Sequence, residues 1–348
     1  MALGKAREKL RVVEHLPAPS LDYGGEETRV TTVIRCLTPI FLLAASALGA
    51  QDYPAREIRS VCNFAPGSGA DIVVRYYSDK LAKLAGKPVI VENRPGAQGL
   101  VATEYVARSK PDGYTILITP ASSTLATAPH IFKHVPFDPL KDFAPVTTIN
   151  SLAFVLAVDA AKPIRTIDEL IAGLRAKPSH GFYATQSNTG QVAAELLKEL
   201  RGLKTVYVPY KLTSDALASL LLGEVDFLSV DATWAVAQHP HKIRILAVTS
   251  AKRSGALPDI PTMAELGFKD FDITPWWGVV VPAGTPRPIV ERLARWFNEI
   301  AAMQDTKQFL ARGALDAFPG SPESMAALIR TETERWGRYV KLAKIEPQ

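Results

Sequence analysis

From Ile58 onward, short apolar runs alternate with stretches of helical spacing, and no other feature of the chain constrains the fold as strongly. The run from Ile58 to Phe64 puts Ile58, Cys62 and Phe64 on one face of a strand. Ile72, Val73, Tyr76, Tyr77, Leu81 and Leu84 then follow at helical intervals. Further strands are predicted at 88–91, 114–119, 154–158, 181–184, 205–208, 225–230, 243–248 and 276–281. Helices are predicted through Tyr105 and Val106, from Thr166 with Glu169 as a capping box, through Val192, Leu196 and Leu197, from a cap at Ser214 to Leu222, within 258–267, and over 289–303 and 321–343. Gly86 and Gly223 stand where helices should stop. The stretch 129–145 reads as an irregular connection. Strands alternating with helices imply an α/β protein with parallel sheet, whose ligands sit beyond the carboxyl ends of the strands.

Three polar loops fall at such ends. The first is Asn63-Phe64-Ala65-Pro66-Gly67-Ser68-Gly69-Ala70-Asp71. Glycines let backbone approach a ligand, and the helix start that follows offers free N–H groups and a positive dipole end. An ordinary strand-to-helix turn uses the same residue types. The third glycine of a dinucleotide fingerprint is missing, because Ile72 stands there, and no Gly-Lys-Ser/Thr or Gly-x-Ser-x-Gly occurs. The second loop holds Thr119, Ser122 and Ser123. The third runs Thr185-Gln186-Ser187-Asn188-Thr189-Gly190-Gln191. Asp231 ends a predicted apolar strand, where it can cap the next helix or meet a ligand.

Near the start, Arg29 and Arg35 flank 30–34, followed by an uncharged stretch with Ile40-Phe41-Leu42-Leu43 at its heart and small residues from Ala44 to Ala50. A basic flank, a short apolar core and a small-residue end form a secretory signal, too short for a membrane span. Residues 1–50 are therefore expected to be an extension plus signal peptide, with the true start near residue 30 and a periplasmic mature protein. Cys62 is the one cysteine after the signal, so no internal disulfide forms; its strand face reads as core.

The 348 residues are 47% hydrophobic and 22% charged, with a net charge of +5, which suits a globular chain of two domains. No basic run with interleaved aromatics supports nucleic-acid binding. His239-Pro240-His241 lacks a third ligand, so no metal or cofactor is expected. No nucleophile stands at a recognisable spacing from a base, so no catalytic residue is expected and the chain reads as a non-enzyme.

Several motifs converge in order: Tyr53-Pro54, the 63–71 loop, Val91-Glu92-Asn93-Arg94-Pro95-Gly96-Ala97, Pro111-Asp112-Gly113-Tyr114-Thr115, Val208-Pro209-Tyr210-Lys211, Leu246-Ala247-Val248-Thr249-Ser250 and Val281-Pro282-Ala283-Gly284-Thr285-Pro286. From Tyr53 to the C-terminus the chain resembles the Bug family, the secreted receptors of tripartite tricarboxylate transporters. The resemblance implies a type-2 periplasmic-binding-protein-like fold, two α/β lobes around a ligand cleft, with lobe one at 52–152 plus 276–348 and lobe two at 153–275. It implies a monomeric solute receptor that delivers a small carboxylate to membrane transporter subunits. A receptor diverted to signalling and a secreted enzyme on the same fold are the alternatives. The positions matching the family's binding loops are Phe64, Ala65, Gly67, Ser68, Gly69, Ala70, Asp71, Thr119, Ser122, Ser123, Thr185, Ser187, Asn188, Thr189, Gly190, Gln191, Tyr210 and Asp231. Two departures stand out. The third loop is about two residues short, with Gln191 where histidine is usual, and the segment 234–242 is shortened as well.

Overall fold

The computed structural model describes residues 53–177, 181–210, 212–269 and 271–347; the signal-peptide and start-site expectations fall outside them. Strands run in chain order as β1 (Ile58–Cys62), β2 (Val89–Asn93), β3 (Thr115–Thr119), β4 (Phe143–Leu152), β5 (Phe154–Asp159), β6 (Phe182–Thr185), β7 (Val206–Pro209), β8 (Phe227–Asp231), β9 (Ile243–Val248), β10 (Trp276–Pro282) and β11 (Leu315–Ala317). They form a six-stranded sheet, β11-β4-β10-β3-β1-β2, and a five-stranded sheet, β7-β6-β8-β5-β9.

Each sheet is mixed rather than purely parallel. The trios β2-β1-β3 and β7-β6-β8 are parallel, as the alternation predicts. β10 runs antiparallel to β3 and β4, and β5 antiparallel to β8 and β9. The reason is connectivity. β4 leads directly into β5 of the other sheet, and β10 is the strand on which the chain returns. A strand entering a lobe at the crossing must point away from it, against strands whose carboxyl ends face the cleft.

The helices are α1 (Gly69–Ala85), α2 (Leu100–Ala107), α3 (Ala128–Ile131), α4 (Ile167–Ala176), α5 (Asn188–Arg201), α6 (Thr213–Leu222), α7 (Ala232–Gln238), α8 (Arg287–Ala302), α9 (Gln304–Arg312) and α10 (Pro322–Leu342). In the first sheet one face is covered by α1 and α8, through Val74, Tyr77, Leu81, Leu293 and Phe297 around Ile58 and Cys62. The other face carries Leu100, Val106, Met325 and Ile329 against Val61 and Leu117. Burial pushes the Cys62 thiol up. The helix α10 spans both lobes. Its first half packs Met325 and Ile329 on the first sheet, and its second half puts Trp336 and Tyr339 into the core around Tyr183 and Phe227 of the second.

Several local expectations are corrected. β4 occupies ground read as irregular connection up to Pro145. Its Thr147, Thr148 and Asn150 are buried, so the strand carries no apolar alternation to detect. Pro145 is tolerated because β10 shifts register beside it, between Val279 and Val280. Residues 258–267 form turns and one bridge, Val248 to Thr262, instead of a helix. Ser214 does not cap α6, which starts one residue earlier with Leu212 at the cap position and no side-chain cap. The other signals act as read: Thr166 Oγ1 accepts from the Glu169 N–H, and Gly86 and Gly223 end their helices at φ 64° and 77°.

Candidate functional site

The first polar loop is shaped by its own side chains. Ser68 caps α1, its Oγ accepting from the Asp71 N–H at 3.2 Å. Asp71 is 1% exposed. Its Oδ2 accepts from the Gly67 N–H and Arg75 Nε, both at 2.8 Å, and its Oδ1 from Asn93 Nδ2 at 2.7 Å. Asn93 also donates to the Phe64 carbonyl at 2.9 Å, so the second motif clamps the first. Burial alone would push the Asp71 carboxyl up; the hydrogen bonds from Arg75, Asn93 and Gly67 outweigh it and hold it down at about 2. Asp71 thus fixes the loop from behind, and its oxygens are taken by protein donors. Gly67 sits at φ +80° with open space beside it, whereas Gly69 is the first residue of α1 and needs no left-handed backbone.

In front of this loop lies a cleft of about 880 Å³ between the two lobes. Phe64, Gly69, Ala70, Ile72, Val73 and Tyr76 form one wall, with Pro120, Leu152, Trp277 and Leu315 beside it. Phe309 and Arg312 of α9 close one side, and Asp231 and Thr233 face in from the second lobe. Phe64 stacks on Trp277 at 5.9 Å between centroids, and Tyr76 on Phe309 at 3.9 Å. Thr233 Oγ1 donates across to the Gly313 carbonyl at 2.8 Å, tying the lobes at the cleft's edge. The N–H groups of Gly69 and Ala70 belong to the first turn of α1 and have no intrahelical acceptor.

Of the residues singled out in the sequence, the cleft gathers Phe64, Gly69, Ala70 and Asp231. Ala65 and Gly67 are exposed on the loop, and Ser68 is occupied as a cap. Thr119 is fully buried, bonded to Asn63 and Thr124. Ser122 Oγ accepts from the Trp276 N–H at 3.2 Å, and Ser123 next to it is exposed. The third loop does not line this cleft. Thr185 is buried and accepts from the Ser187 N–H, Ser187 caps α5 by accepting from Gly190, and Asn188 and Thr189 are half-buried on its first turn. Gln191 reaches Ala343 beyond α10. Tyr210 donates to Ser219 Oγ at 2.6 Å and so faces α6.

Tyr76, Trp277, Phe309 and Arg312 also line the cleft without any site signal in the sequence. Tyr76 and Trp277 fit a helical and a strand pattern, and only packing shows that they also face open space. Phe309 and Arg312 lie on α9, which no sequence pattern announces.

Asp231 keeps both of its readings: Oδ1 accepts from the Trp234 N–H at 2.8 Å as the cap of α7, and the residue lines the cleft. Asp231→Ala is expected to cost about 1 kcal/mol of stability from the lost cap and to weaken ligand binding as well. Unfolding titrations beside calorimetry separate the two, and unchanged affinity would leave the cap alone. Gly190 packs so closely that an added Cβ would stand 2.1 Å from Thr185 Oγ1 and 2.5 Å from the Ser229 carbonyl. Gly190→Ala is expected to cost about 1–3 kcal/mol by overpacking, read as a lower denaturation midpoint. A wild-type midpoint would contradict this contact.

Residues 73–345 match the TctC model, described as the tripartite tricarboxylate transporter family receptor. The chain belongs to this receptor family. The receptor is 34% identical over 304 residues to the protein BugT of Bordetella pertussis, covering 85% of this chain and 92% of that one. Among solved structures, R. palustris Rpa4515 with adipate is 31% identical, with a TM-score of 0.70 over 85% of this chain and 100% of that one. The periplasmic binding protein BugD is 29% identical, with a TM-score of 0.66 over 85% and 100%. The receptor shares the two-lobed α/β fold of these proteins.

Proposed function

We propose that this chain is an extracytoplasmic receptor that captures a small carboxylate between its lobes and delivers it to subunits of a tripartite tricarboxylate-type membrane transporter. The observation that carries this reading is the cleft in which the first turn of α1, at Gly69 and Ala70, faces Asp231 of the other lobe. A helix start offers unpaired N–H groups to an anion. The adipate bound by Rpa4515 supports a carboxylate as the ligand.

Phe64, Gly69, Ala70 and Asp231 are the contact residues in this proposal, with Gly67, Ser68 and Asp71 shaping the loop. The third loop and Ser123 would join on closure, the lobes being 52–152 with 276–348 and 153–275, bridged by the second half of α10. The protein acts as a periplasmic monomer, exported by its N-terminal signal, and releases its ligand chemically unchanged.

A ligand held by both lobes favours the closed form. A carboxylate at a hundredfold its dissociation constant should raise stability by about 3 kcal/mol, visible as a thermal shift, while cationic amines give none. Small-angle scattering should show compaction on saturation. Stabilisation by amines alone, or identical scattering with and without a stabilising acid, would defeat the reading.

A further inference from the structure

The cleft carries more than one lobe's helix start, and its other wall is chemically one-sided. Helix α9 lies along α1 in the opposite direction. Asp305 pairs with Lys80, and Phe309 stacks on Tyr76 four residues on in one helix and four back in the other. One further helical turn brings Arg312 level with Ile72 and Val73, at the end of the first turn of α1. All four of Ile72, Val73, Phe309 and Arg312 line the same cavity.

Arg312 is exposed, and its Nε donates only to the Gln308 carbonyl of its own helix, at 3.3 Å. Among the described residues it makes no ion pair. Among the described residues it is also the one cationic side chain that lines the cleft. A guanidinium with its other N–H groups free is suited to a carboxylate, bidentate and charge-assisted. The remaining wall is made of rings and aliphatic groups: the Phe64–Trp277 stack, Leu152 and Leu315. Ile72 is 52% exposed, an apolar side chain left facing the space. The other charged groups are carboxylates, Asp231 and the Lys80-paired Asp305.

On this wall of the cleft a second carboxylate would meet either apolar groups, which leave a charge poorly solvated, or a like charge. An apolar body would instead be favoured by the same wall.

We propose that the cleft selects a monocarboxylate with an apolar, ring-sized body, and that Arg312 holds its carboxylate at the first turn of α1. This rests on the receptor reading above and narrows its ligand class.

The test is calorimetry on the purified protein and on Arg312→Gln, with phenylacetate and benzoate set against malate and adipate, and with the neutral isostere phenylacetamide as a control. Phenylacetate or benzoate should bind at least tenfold more tightly than either dicarboxylate. Arg312→Gln, an exposed change, should weaken the ring acids tenfold or more and leave the weak binding of phenylacetamide unmoved. If malate or adipate binds as tightly as the ring acids, the ligand class is overturned while the receptor reading stands. An Arg312→Gln variant that binds ring acids like the wild type, or loses acid and amide equally, overturns the role of Arg312. If none of the four acids binds, this inference is overturned, while the receptor reading is decided separately by the thermal-shift and scattering tests above.

Discussion

Gly67→Val is expected to abolish ligand capture while leaving the fold standing. Gly67 adopts φ +80°, a region that costs an L-residue about 1–2 kcal/mol and suits a β-branched side chain least. The residue is exposed and a Cβ there meets nothing within 4 Å, so no core contact is lost. The chain escapes the strain by rearranging the loop. The Gly67 N–H then leaves Asp71, and Phe64, Gly69 and Ala70 lose their places on the cleft wall. Affinity should fall at least a hundredfold, with a loss of stability of about 2 kcal/mol, small against a total of roughly 5–15 kcal/mol. Gly67→Asn, which tolerates left-handed backbone, should retain binding. Gly69→Ala should fold normally, since that position needs no positive φ. Calorimetry with a bound acid reads all three; wild-type affinity in Gly67→Val would show that loop shape does not make the site.

Asp71→Ala should be the costliest change for stability around the first polar loop, at about 2–3 kcal/mol from the lost charge-assisted hydrogen bonds. The loss stays below that of a fully buried ion pair because Arg75 remains about half exposed, at 49%, and can be hydrated. Asn93 keeps its bond to the Phe64 carbonyl. The group also sets an acid response. Its folded pKa of about 2 lies below the ordinary 3.8, so its stabilisation is present above about pH 4 and is lost as pH falls through about 2. Asp71→Asn removes that share of the pH dependence, about 2 kcal/mol between pH 4 and pH 2. Denaturant titrations of both proteins across this window should converge at the acid end. Parallel curves would mean that Asp71 ionises in the folded protein as it does in the unfolded chain.

The order of most strands and helices is legible because these elements are announced within a few residues. Ser68, Thr166, Ser187, Asp231 and Ser321 all cap the helices that follow them, by hydrogen bonds spanning three residues. The motifs carried the family, and the two-lobed fold came with it. β4 was not legible, because a strand paired on both sides can bury threonine and asparagine in place of an apolar stripe. The helix α9 and the short β11 were missed for a related reason: their apolar residues are few, and their partners lie more than 150 residues away, on α1 and β4.

The site divides in the same way. Glycines, caps and a polar loop at the carboxyl end of β1 can be read from the chain alone, since turn chemistry is local. Which way the other side chains of the site face is set by contacts between distant elements. Asp71 turns inward because Asn93, at the end of the neighbouring strand, offers it a donor. Tyr210 turns away because Ser219 accepts its hydroxyl proton. Phe309 and Arg312 reach the cleft because Asp305 and Phe309 lock α9 against Lys80 and Tyr76. Such directions depend on partners brought together only by the folded sheets, so no local pattern in the chain encodes them.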